Sequence, residues 1–305
     1  MKKLILLAIT LIIIGVLFLY QQDLQKAYYS VLRSFQDDTS TLENKNEYYR
    51  DYDFNYVQTT DDFSPDSKQD ILNIFYTAIN SGMENFTFYC PDTYSDCLNE
   101  VESLANNQEM LSDINNFVHP YNGFYHIETQ YDSLGKVQIH IQKSYSDEQI
   151  REINNKVDEL AGQLIIPGDT DTNNILRIHD YIINNSVYDS ARSDYGDTTY
   201  QSDIAYGPLL QGYGICGGYT DAMQLFLEKL GIKNYKVSSE EHVWNAVFVN
   251  NQWLHLDLTW DDPVTSTKEN ILDHNFFLIS TNNLLAIEQT EHQFNMDVYS
   301  ELKEA

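Results

Sequence analysis

The chain is short of positive charge. It carries 18 lysines and arginines against 46 aspartates and glutamates, a formal net charge of −28 over 305 residues. A surface of that sign repels phosphate backbones and anionic headgroups, so nucleic acid is excluded as a partner. Cysteine is scarce as well, with three in all. The sequence holds no phosphate loop, dinucleotide fingerprint or complete calcium loop, and no internal repeat or low-complexity tract. Nothing therefore asks for a cofactor, and no resident metal is expected. The acidic run "DTDTNN" at 169–174 lacks the full calcium pattern and reads as the polar start of a helix.

What is present begins with one long apolar run. Lys2 and Lys3 precede the uncharged "LILLAITLIIIGVLFLY", Leu4 to Tyr20. With Gln21 and Gln22 it just reaches the roughly 20 residues of a spanning helix. No clear small-x-small cleavage pattern follows, so 1–22 is expected to be a signal anchor, with a cleaved signal as the competing reading. The two lysines stay inside, which makes the protein single-pass in the cell membrane with its C-terminal part extracytoplasmic, or secreted if the segment is removed. In that oxidising setting Cys90 and Cys97, in "YCPDTYSDCL", can bridge, and Cys216 is left as an odd thiol.

Residues 23–66 are polar, acidic and rich in tyrosine, and read as a spacer or loosely ordered arm. From residue 67 the pattern changes. "SPDSKQDILNIFYTAINSG" predicts a helix, "ENFTFYC" a strand, "DCLNEVESLANNQEMLSDINNF" one or two helices, and "FYHIETQYDSLGKVQIHIQ" a hairpin. Together they predict a small α+β domain over 67–145. A helix then starts at a Ser146/Gln149 capping box, and a second carries Ile175, Ile178 and Ile182 on one face. His179, inside that second helix, reads as ordinary packing. A long polar connection follows and delivers the chain to Cys216.

In "GYGICGGYTDAMQLFLEKLGI" Cys216 stands ahead of Ala222, Met223, Phe226 and Leu230, which recur at helical spacing. A helix N-terminus favours a thiolate, the form of cysteine that acts as a nucleophile. Gly217 and Gly218 would let a substrate backbone approach. Taken alone, this motif fits a small packing residue equally well. The next stretch, "EEHVWNAVFVNNQWLHLDLTWDDP", shifts the balance. Val243 to Val249 and Trp253 to Leu258 read as strands joined at Asn250-Asn251. That register sets Trp244 opposite Asp257 and makes His242 and Asp257 diagonal neighbours on one face, with Cβ atoms about 7 Å apart. A slip of one residue would separate them. Cysteine, histidine and aspartate then form a complete set for thiol catalysis, with Cys216 as nucleophile, His242 as base and acid, and Asp257 orienting the imidazole. Trp244 is a candidate groove wall, Gln211 a candidate oxyanion donor, and His255 a rival base. A zinc site from Cys216, His242, His255 and Asp257 is the competing chemical reading, although its spacing matches no compact metal motif.

These two stretches, with "NFFLIS" after them and "IHDYIINNSVYD" and "IAYGPLL" before, resemble the transglutaminase-like superfamily of papain-fold thiol enzymes over about residues 146–295. The resemblance implies an α+β fold with the cysteine-bearing helix packed on an antiparallel sheet, and a triad at Cys216, His242 and Asp257. It extends the transglutaminase-like domain to 146–305. The expected function is extracytoplasmic acyl transfer at amide bonds of protein or peptidoglycan peptides, by hydrolysis or transamidation. The alternative is a non-catalytic binding module on the same fold.

Overall fold

The computed structural model describes residues 45–264 and 271–304, with isolated positions before residue 45. The expected membrane anchor lies outside the described residues. Among those described, no helix is long and apolar enough to cross a membrane.

Ser67 starts α1 (Lys68–Asn80), the first helix among the continuously described residues, through a reciprocal capping box with Asp70. Strand β1 (Asn85–Tyr89) follows, then helices α2 (Cys97–Ala105) and α3 (Gln108–Asn116), separated where Asn107 caps α3. Cys90 and Cys97 form a disulfide with Cα atoms 5.6 Å apart, and Cys216 is free. Strands β2 (Phe124–Tyr131) and β3 (Lys136–Lys143) make the predicted hairpin, and β3 is the centre of an antiparallel sheet ordered β1-β3-β2. Val137, Ile139 and Ile141 alternate inward from β3.

The second half opens with α4 (Asp147–Leu164), whose Ser146/Gln149 capping box is present, and α5 (Asp171–Asn184), capped by Thr170 in the acidic run. A parallel pair of two-residue strands, β4 (Val187–Tyr188) and β5 (Tyr213–Gly214), brackets the connection that holds α6 (Ser190–Tyr195). Helix α7 (Cys216–Lys229) then leads into an antiparallel sheet of β6 (Asn234–Ser238), β7 (Val243–Val249) and β8 (Gln252–Leu256), with α8 (Thr281–Ile287) near the C-terminus.

The β7–β8 ladder pairs Asn245 with Leu256 and Val249 with Gln252, the predicted register. Asn250 and Asn251 both take positive φ, 53° and 64°, which gives the tight turn the twist that a two-residue hairpin needs. Strand β8 stops at Leu256, two residues earlier than expected, because Asp257 Oδ1 accepts the N–H groups of Thr259 and Trp260 and turns the chain.

The β6-β7-β8 sheet is buried on both faces. Val247, Val249, Leu254 and Leu256 pack with Ala222, Met223 and Phe226 of α7. On the other face, Tyr235, Val237, Trp244 and Ala246 join a core with Phe75, Phe88, Phe117 and Ile139 of the first half. One apolar core thus crosses the expected boundary at 145.

The segment 45–66 is not a loose arm. Phe54, Val57 and Phe63 are buried in that shared core, and Arg50 is 3% exposed. The guanidinium of Arg50 donates to Phe117 C=O at 2.9 Å, Glu228 Oε1 at 2.6 Å and Asn234 Oδ1 at 3.1 Å, joining the N-terminal segment to α3, α7 and β6. Composition hid this role, since three buried aromatic or branched residues at irregular spacing leave no period in an acidic stretch. Replacing Arg50 by alanine leaves Phe117 C=O without this donor and removes the joint to Glu228 and Asn234, so Arg50→Ala should cost about 3 kcal/mol. A fall in Tm of ~5 °C by calorimetry is the expected readout; an unchanged Tm would refute the joining role.

Candidate active site

Helix α7 begins at Cys216 itself, with Ile215 as an N-cap that supplies no side-chain acceptor. The first-turn N–H groups therefore lack a side-chain cap and keep their positive end at the thiol. The start of the helix is clamped from two sides. Ile215 N–H donates to Ser202 C=O at 2.8 Å. Thr220 Oγ1 donates to Val243 C=O and Asn245 Nδ2 to Thr220 C=O, both at 3.1 Å, which holds the first turn against the start of β7, next to His242.

Gly217 and Gly218 are required by this packing. A Cβ at Gly217 would lie 2.7 Å from Asp203 C=O, and one at Gly218 2.2 Å from Ser202 C=O, so the chain's own loop occupies the space.

His242 Nε2 meets Asp257 Oδ2 at 2.5 Å, across the diagonal that the register predicts. The Cys216 side chain is among the groups that raise the imidazole, which places it within interaction range of His242. With Nε2 on the carboxylate, Nδ1 is the nitrogen left for the thiol. Burial alone would depress the imidazole, but the Asp257 carboxylate, its hydrogen bond and the Cys216 side chain outweigh it and raise His242 to about 10. Asp257 is itself buried, which would raise it, yet its two histidine partners hold it far below the usual carboxylate range.

The second of those partners is His292, which the sequence did not disclose. Its Nε2 lies 3.0 Å from the same Asp257 Oδ2, and its Nδ1 lies 2.9 Å from Glu288 Oε2. The ring is fully buried, stacked on Phe276 at 5.4 Å and edge-on to Trp244 at 4.9 Å. The chain Cys216–His242–Asp257–His292–Glu288 thus runs from the thiol to a partly exposed carboxylate. Nothing in the spacing of a histidine 35 residues after Asp257 could have announced it.

Three of the expected site residues have partners of their own. Trp244 is fully buried and stacks on His242 at 5.5 Å and 15°, so it supports the imidazole from beneath and is no wall that a substrate can touch. Gln211 Oε1 accepts Gln201 N–H at 2.8 Å, which fixes its carboxamide against the preceding loop and leaves Nε2 as its donor atom. His255 accepts Trp244 Nε1–H on Nδ1 at 2.9 Å, and its Nε2 lies 2.9 Å from Thr281 Oγ1. Burial, with His292 nearby, pushes it down to about 3, so it is a neutral structural imidazole and no rival base. The zinc set that included His255 is accordingly not assembled. The ligand atoms of His242, Asp257 and His292 do lie within 4.8 Å of one another, but Asp257 already accepts hydrogen bonds on both oxygens.

A cleft of about 600 Å³ opens beside the helix start, lined by Phe124 and Lys143 from the first half and by Arg192, Gln201, Gly217 and Val243 from the second.

Residues 158–258, which contain Cys216, His242 and Asp257, match the family model of the transglutaminase-like superfamily core. The chain is transglutaminase-like over that span. The superfamily includes transglutaminases and cysteine proteases. No curated protein matches the chain. Among solved structures, a TGase aligns over 48% of this chain and 47% of its own, at 13% identity and a TM-score of 0.36. A protein described as a candidate cysteine protease from Cytophaga hutchinsonii aligns over 48% and 65%, at 14% identity and a TM-score of 0.29. The chain thus spans about half to two thirds of these neighbours' lengths. The transglutaminase-like segment has its family support from the sequence match, not from these superpositions.

The raised His242 carries a stability signature. A histidine whose folded value lies above its ordinary value of about 6.5 contributes stability that is full below that pH. The contribution is lost as pH rises through about 10. The Tm gap between wild type and His242→Gln should therefore be constant from pH 5 to 6.5 and shrink toward pH 10.5. A gap that widens with pH would contradict the charged pair.

Proposed function

We propose that this protein is a cysteine-dependent acyl-transfer enzyme acting on amide bonds, with Cys216 as nucleophile, His242 as acid and base, and Asp257 as the group that orients and charges the imidazole. The observation that carries the reading is one imidazole held at 2.5 Å by a buried carboxylate and close enough to a free thiol at a helix start to be raised by it. The Cys216 thiolate adds to the amide carbonyl carbon, and first-turn N–H groups of α7 stabilise the oxyanion. The C–N bond then breaks as the His242 imidazolium protonates the departing amine, leaving a thioester. Water or a second amine attacks that thioester, His242 takes the incoming proton, and the thiolate is released. Hydrolysis and transamidation share the acyl-enzyme and differ only in the acceptor.

The cleft is lined by Gly217 and Val243, the chain neighbours of Cys216 and His242, and its volume suits a peptide segment of protein or cell wall as the substrate class. An extracytoplasmic location rests on the apolar run at Leu4 to Tyr20 and on the Cys90–Cys97 disulfide.

Alkylation of Cys216 by iodoacetamide, followed from pH 5 to 9 in wild type and His242→Ala, tests the pairing. Wild type should react at pH 6 at least tenfold faster than the variant, whose rate should climb only near the free-thiol value of about 8.5. Identical profiles would remove Cys216 as a nucleophile and leave a binding module.

A further inference from the structure

His179 is buried on α5 with no exposed surface, yet both ring nitrogens face carboxylates. Nε2 lies 3.1 Å from Oδ2 of Asp261, which is itself fully buried, and the other Asp261 oxygen accepts Phe276 N–H at 2.9 Å. A buried carboxylate in that setting must be donated to, so the ring proton belongs on Nε2. Nδ1 is then the ring nitrogen that faces the second carboxylate. That nitrogen lies 2.9 Å from Asp180 Oδ1, and the same oxygen lies 2.8 Å from His274 Nε2. Two imidazole nitrogens and a carboxylate oxygen, all within 4.8 Å of one another, thus converge on one point.

We propose that His179, Asp180 and His274 form a divalent-cation site of the zinc type, which fastens the segment carrying His274 to α5. A cation at that point would be met by His179 Nδ1, Asp180 Oδ1 and His274 Nε2 together. Asp261 supplies the outer carboxylate that commonly fixes the tautomer of a metal-bound histidine. Zinc accepts two imidazoles and a carboxylate at 2.0–2.2 Å, which in a tetrahedron sets the ligand atoms about 3.3 Å apart. The present separations of 2.8 and 2.9 Å need an outward shift of about half an ångström, and the Asp180 and His274 side chains, 33% and 44% exposed, stand on the side that can give. Water can complete the coordination from there.

This cluster differs from the one at His242, Asp257 and His292, which is buried throughout. Its consequence for the candidate active site is indirect. The segment that His274 anchors also holds Phe276, whose C=O accepts Asp257 N–H at 3.1 Å. A bound cation would steady the backbone that carries Asp257.

The test is a titration of the full-length Cys216→Ser protein, stripped with chelator, with zinc chloride at pH 7.5. Calorimetry should show one equivalent bound, and Tm should rise by ~4 °C at a hundredfold excess over Kd. His274→Ala, at an exposed position, should keep the zinc-free Tm and lose at least tenfold in zinc affinity, as should Asp180→Asn. Failure of zinc to bind, or binding unchanged in His274→Ala, would overturn the site. Binding lost in His292→Ala but kept in His274→Ala would assign the cation to the buried cluster and overturn it equally.

Discussion

The Asp257 carboxylate is the constraint around which the site is built. A charge with 1% of its surface exposed is tolerated only when its lone pairs are taken up. Here Oδ2 receives His242 and His292, while Oδ1 receives the N–H groups of Thr259 and Trp260. The backbone bonds end β8 and fix the turn, and the turn brings two further carboxylates into play. Asp261 meets His179 of α5, and Asp262 accepts the Tyr219 hydroxyl of α7 at 2.6 Å. Three acidic side chains in six residues therefore bind the hairpin exit to the imidazole, to α5 and to the helix that carries Cys216.

The sheet bearing His242 is held from both sides, so the first half of the chain is part of the site's support. Trp244 faces the core shared with α1 and β3 while its indole N–H donates to His255. From His255 the chain of contacts continues to Thr281, whose hydroxyl donates to Leu302 C=O at 2.8 Å. The plane on which the His242 ring rests is thus fixed by residues far along the sequence. Arg50 adds a polar joint to the same arrangement.

How much of this could be read from the sequence follows from the range of each interaction. The hairpin register was legible because a two-residue loop leaves one pairing, and the pairing carries His242 and Asp257 with it. The start of α7 at Cys216 was legible from glycines followed by helical periodicity. Segment 45–66 was not, because its buried residues take their order from a core made elsewhere. His292 was hidden for the same reason, and so was the role of Gly217 and Gly218. Their small size answers to the carbonyls of Ser202 and Asp203, which no local pattern brings near.

His242 and His255 show why partners, and not position, decide the chemistry of a buried imidazole. Both belong to the β7–β8 hairpin and both lose solvent, a cost that pushes each toward the neutral form. His242 faces a saturated carboxylate and a thiol, and the attraction lifts it to about 10. His255 faces an indole N–H and a hydroxyl, neither of which rewards a positive charge, and it falls to about 3. Exchange the partners and the roles would exchange as well. The acid–base capacity assigned to His242 is therefore a property of the Asp257 turn as much as of the histidine, and a substitution that opened that turn would silence the imidazole without touching it.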